Sequence, residues 1–98
     1  MIYDVRLRDE AESDLREAAE WYQLQMSGLG GEFLDSVSAS FDNLGSNPLL
    51  YPVFYKDIRR VLLKRFPFGV YFRIEAQTVQ VIAVIHGSRH PGRWKTRT

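Results

Sequence analysis

The chain has 98 residues, 45% of them apolar and 26% charged, a composition that fits an ordinary folded chain and a length that fits one core but not two. It has no cysteine, which excludes disulfides and thiolate metal sites, and its apolar stretches fall far short of the ~20 residues that span a bilayer, so a cytoplasmic protein with no membrane partner is expected. The net charge of +1 hides an asymmetry, because residues 1–49 hold ten acidic and three basic side chains while residues 50–98 hold two acidic and ten basic; the second half is expected to present a surface to an acidic partner, nucleic acid or protein.

In chain order, IYDVRL (2–7) alternates apolar and polar residues, the period of a half-buried strand. Asp9 and Glu12 have the spacing of a capping box and predict a helix from Asp9. In that helix Ala11, Leu15, Ala18, Ala19, Tyr22 and Met26 form the apolar stripe, while Glu10, Asp14, Glu17 and Glu20 form an acidic outer face. Ser27-Gly28 breaks it, and Gly30-Gly31 offers positive-φ positions for a tight turn. A second amphipathic pattern runs from about Gly31 through Phe33, Leu34, Val37, Phe41 and Leu44, until Gly45, Asn47 and Pro48 end it. Beyond Pro48 the period shifts toward 2, with strands predicted at 58–63, 70–74 and 79–85. Connections this short require an antiparallel meander, and the last strand, apolar on both faces, belongs near the middle of the sheet. The expectation is one α+β domain over residues 1–98, of order β-α-α-β-β-β, with a two-helix hairpin on a curved antiparallel sheet.

Few constellations can carry chemistry. His86 and His90 lack a nearby acidic third ligand, so no metal and no cofactor is expected. Ser88 has neither a nucleophile elbow nor a matching acid, and GLGGEF (28–33) places Glu32 where a phosphate would sit. Cationic and aromatic side chains on strands remain. Alternation puts Arg60 and Lys64 on one face of their strand, and Tyr71 and Arg73 on the face opposite Val70, Phe72 and Ile74; His86 and Arg89 follow at the end of the last strand, with Trp94 beyond. Such a face suits single-stranded RNA, with cations for phosphates and rings for bases, or RNA cleavage with His86 moving a proton. Tyr71 and Trp94 equally fit a second role, rings that seal the sheet.

The order of motifs is that of a known group. A-x-x-D-L-x-E-A-x-x-x-Y (11–22), G-L-G-x-x-F (28–33), L-x-x-N-P (44–48), R-F-P-F-x-V-Y-F (65–72) and V-I-H-G-x-R-x-P-x-x-W (84–94) together resemble toxins of the RelE/ParE superfamily. The resemblance implies a toxin of a type II toxin-antitoxin, or plasmid-stabilisation, module that forms a hetero-oligomer with a cognate antitoxin. It also implies one of two activities. RelE-like members are mRNA interferases that cleave message on the ribosome with strand Lys and Arg residues, a C-terminal Arg and an aromatic; ParE-like members lack most of that set and poison DNA gyrase without being enzymes of this kind. Carried over, Arg60 and Lys64 lie near the basic strand positions, Arg89 matches the C-terminal Arg, and Trp94 falls near the aromatic. Gly69 stands where RelE-like nucleases tend to carry an Arg. The resemblance therefore favours the ParE-like branch; in the RelE-like alternative Arg60, Lys64, His86 and Arg89 would be catalytic, and in either branch Arg60, Lys64, Tyr71, Arg73, Arg89 and Trp94 would contact the target.

Overall fold

A computed structural model describes residues 2–88 and 92–98. Strand β1 (Asp4–Leu7) leads into helices α1 (Asp9–Gln25) and α2 (Leu29–Ser46); a 3-10 turn (Pro48–Leu50) precedes strands β2 (Val53–Tyr55), β3 (Ile58–Leu62), β4 (Phe68–Glu75) and β5 (Thr78–His86), and a 3-10 helix (Arg93–Arg97) follows. The α+β order is the one the periodicity predicts, and the β3-β4-β5 meander is antiparallel. Two features extend it. The edge strand β2 is too short to show a period, and β1 joins the sheet parallel to β5, giving the five-stranded order β1-β5-β4-β3-β2. The long excursion through the helices permits that parallel pairing, which a short hairpin could not make.

The helix boundaries have local causes that differ from the expected ones. No capping box forms: Arg8 is the N-cap and makes no side-chain cap, so the start of α1 is held by its acidic first turn, Asp9, Glu10 and Glu12, against the helix dipole. Between the helices only Gly28 takes a positive φ, +90°. Gly30 serves a different need, because a Cβ there would lie 2.6 Å from the carbonyl oxygen of Ala19; its bare backbone lets α2 start against α1. The Gln23 side chain accepts from the N–H groups of Gly28 and Gly30 (3.1 and 3.2 Å), satisfying donors that a helix start leaves unpaired.

The two helices cover one face of the sheet, where Phe33, Val37, Leu44, Val70, Phe72, Val79, Val81 and Val84 are buried. Phe33 meets Phe66 and Phe68 edge-on at 5.3 and 5.0 Å. Each large side chain buried here contributes ~1.5–3 kcal/mol relative to exposure. The other face has a smaller core of Ile58, Tyr71, Ile82, Ala83, Ile85 and Trp94. A β-bulge makes both cores possible. Tyr71 pairs with Ala83 and Phe72 with Val81, so Ile82 is the extra residue in β5. Ile82 and Ala83 both serve the far face, and the alternation then resumes with Val84 toward the helices.

Candidate functional site

On the far face β3 and β4 set Arg60 opposite Tyr71. Tyr71 is not a free platform, since it stacks on Trp94 with ring centroids 4.8 Å apart and planes 15° apart, and each residue is only 5% exposed. Phe54 and Tyr55 close the box around Trp94 at 5.5 and 5.1 Å. The Arg60 guanidinium lies over the Phe54 ring at 3.9 Å, and Lys95 Nζ lies 5.0 Å from the Tyr55 ring centroid, so cations rim the aromatic cluster. Gly69 borders the same place: a side chain there would grow toward Tyr71, Arg60 and Leu62, at 3.2–3.5 Å from its first carbon.

The other expected residues do not converge on this face. Lys64 lies beyond the end of β3, exposed in the bend between β3 and β4, instead of sharing strand alternation with Arg60. Arg73 keeps the Tyr71 side, but Asp57 pairs with it (Nε to Oδ2, 3.2 Å), leaving its charge already matched. His86 is on the opposite side of the sheet. It pairs with Phe68, meets that ring edge-on at 5.3 Å, and faces a groove of about 380 Å³ lined by Trp21, Tyr22, Phe68 and Arg93 among others. The bulge at Ile82 is the reason, because one extra residue reverses which face every later side chain of β5 takes. His86 Nδ1 accepts from the Ser88 N–H at 3.1 Å, which in a neutral ring leaves the proton on Nε2. Arg89 and His90 lie outside the described residues.

Asp14 and Arg97, unmarked by the sequence reading as functional, organise the C-terminal arm. β1 ends at Leu7, level with Val81, and leaves the edge of β5 uncovered beyond it. Asp14 is buried there rather than on the outer face of α1, accepting from the Val84 N–H at 3.0 Å. The Arg97 guanidinium grips its carboxylate with two bonds, 2.6 and 3.0 Å, and also donates to the Ile82 carbonyl at 3.2 Å. Arg8 then holds the Arg97 carbonyl at 2.6 Å. The bonds to Asp14 raise the Arg97 pKa above the ordinary guanidinium value against the opposing effect of burial. The spacing of Asp14 between Ala11 and Ala18 was the available signal, since it puts Asp14 on the apolar stripe.

What this arrangement can do chemically is narrow. Arg60, at the rim of the aromatic box, offers a guanidinium that can bind an anion but, always protonated, cannot move a proton, and its cross-strand neighbour Tyr71 is buried against Trp94. Among the described residues no group of three or more metal-ligating side chains comes together, and no helix is long and apolar enough to cross a membrane.

The same fold is found in solved toxin-antitoxin structures. The chromosomal ParDE system of P. aeruginosa matches with a TM-score of 0.73 at 16% identity, over 87% of this chain and 96% of that one. The RelBE2 toxin-antitoxin complex of Mycobacterium tuberculosis matches with 0.62 at 21% identity, over 88% and 99%. No curated protein sequence matches the chain. A model of the family described as the ParE toxin of type II toxin-antitoxin systems, parDE, matches residues 5–91. The chain thus belongs to the ParE toxin family, within the RelE/ParE superfamily.

Proposed function

We propose that this chain is the toxin of a type II module, neutralised by a cognate antitoxin, and that it arrests growth by binding and inhibiting DNA gyrase rather than by cutting RNA. The observation that carries this reading is the dispersal of the nuclease set. Gly69 supplies no phosphate ligand, Arg73 is matched by Asp57, Lys64 lies off the strand, and His86 is on the far side of the sheet from Arg60. Cleavage by the 2′-hydroxyl needs a proton acceptor and charge stabilisation within reach of one phosphate. Trp94, buried against Tyr71, has neither a free face for a base nor a hydroxyl to transfer a proton.

Arg60, Lys64 and the terminal arm, with Arg89, are the proposed contacts to the target. Among the described residues neither Arg60 nor Lys64 is in an ion pair, so their charge is available to an acidic surface. An acidic amphipathic segment of the antitoxin fits the same side, where Phe54 and Leu62 are exposed near Arg60. Brief induction in cells tests the reading. The expected result is prompt DNA-damage signalling with protein synthesis intact; immediate arrest of translation with cut messages would assign the chain to the interferase branch.

A further inference from the structure

The outer edge of the sheet at β1 has a pattern that neither activity uses. Asp4 N–H bonds Gln77 O (2.8 Å) and Arg8 N–H bonds Val81 O (3.0 Å), both toward β5. With a period of two, the backbone groups of Val5 and Leu7 point the other way, out of the sheet. Tyr3 N–H points outward too and is taken by the Gly45 carbonyl at the end of α2, at 2.7 Å. An edge with outward N–H and C=O groups is a template for another strand. Beside it, between β1 and α2, runs an open groove of about 440 Å³, lined by Ile2, Val5, Leu7, Phe41 and Gly45 among others.

The side chains say which strand. Tyr3, Val5 and Leu7 pack toward the helices, whereas Asp4 and Arg6 lie exposed on the opposite face. Read outward from Val5 in both directions, Tyr3-Asp4-Val5-Arg6-Leu7 complements itself, acid against base and apolar against apolar. An antiparallel pair must set outward-directed residues opposite each other, so the registers available to two copies differ by two residues. Centring on Asp4 would oppose Asp4 to Asp4, and centring on Arg6 would oppose Arg6 to Arg6. Only the register about Val5 sets Asp4 against Arg6 twice, with Tyr3 against Leu7.

We propose that β1 pairs antiparallel with β1 of a second copy of this chain, in register about Val5, joining two five-stranded sheets into one. Val5 of each copy exchanges both backbone bonds with Val5 of the other, and each Leu7 N–H donates to the Tyr3 carbonyl of the other. The two grooves, each lined by the Val5, Leu7 and Gly45 of its own copy, then lie side by side across the seam. The Asp4–Arg6 pair within one chain, 2.6 Å apart and well exposed, re-forms between copies at little cost.

Sedimentation of the purified chain from low to high micromolar concentration tests this, with circular dichroism showing that each variant is folded. A reversible dimer is expected. Asp4→Arg and Arg6→Asp should each weaken it by about tenfold or more, since two attractive cross-strand pairs become repulsive. An equimolar mixture of the two variants should recover association, as a heterodimer. Val5→Pro should abolish it while leaving β1 on β5, because the N–H it removes faces outward. A chain that stays monomeric throughout, a dimer indifferent to both charge reversals, or a mixture that does not associate would overturn the proposal. So would a monomer whose β1 amides gain exchange protection only when the antitoxin binds, which assigns the edge to the antitoxin.

Discussion

Replacing Arg97 by alanine is expected to destabilise the protein by about 3–5 kcal/mol, the cost of leaving one member of a buried ion pair without its partner. Asp14 is 6% exposed, and among the described residues its carboxylate would keep only the Val84 N–H. The Ile82 carbonyl, freed by the bulge, would lose its donor as well. Arg97→Lys should recover only part of the loss, because an ammonium cannot supply the two parallel bonds of the guanidinium fork. The double variant Asp14→Ala with Arg97→Ala should fall well short of the sum of the two single changes, as partners in direct contact do. Urea unfolding followed by circular dichroism measures all four. A loss below 1 kcal/mol for Arg97→Ala would show that the arm is held by Trp94 and by the Arg8 bond to the residue-97 carbonyl instead.

Trp94→Ala should cost a similar amount, about 3–5 kcal/mol, as large aromatic truncations in cores do. The indole fills a box of Phe54, Tyr55 and Tyr71 and is 5% exposed. Trp94→Phe keeps a ring against Tyr71 and should lose much less. This series separates the two roles the sequence left open for Trp94. If the ring seals the sheet, thermal unfolding shifts in the order alanine well below phenylalanine, and phenylalanine below the parent chain. If it stacks on a base instead, the alanine variant melts with the parent and fails only in nucleic-acid binding.

Much of the architecture was legible because it rests on short-range periodicity. The apolar stripes of both helices and the three long strands follow from residue spacing, and the adjacency of β3, β4 and β5 follows from connection length. The site was less legible, and one residue accounts for much of that. Val79 to Ile85 is apolar at nearly every position, so nothing in its pattern reveals a bulge at Ile82. Strict alternation carries His86 to the side of Tyr71, whereas the extra residue carries it to Phe68 and the helices. Asp14 was misplaced for a different reason. Its partner Arg97 lies 83 positions away, and a carboxylate on an apolar stripe looks like a surface residue until the partner is in view. The turn glycines show the same limit: Gly28 provides the positive φ, while Gly30 answers to the Ala19 carbonyl, a tertiary neighbour.

The role proposed for this far face, with its rings packed on one another and its cations at the rim, is to bind a protein target rather than to cut RNA. The most direct measurement is supercoiling of relaxed plasmid by purified gyrase as the purified chain is titrated in. Supercoiling is expected to fall as the chain is added and to return when antitoxin is supplied. Full supercoiling in the presence of excess folded chain would contradict it.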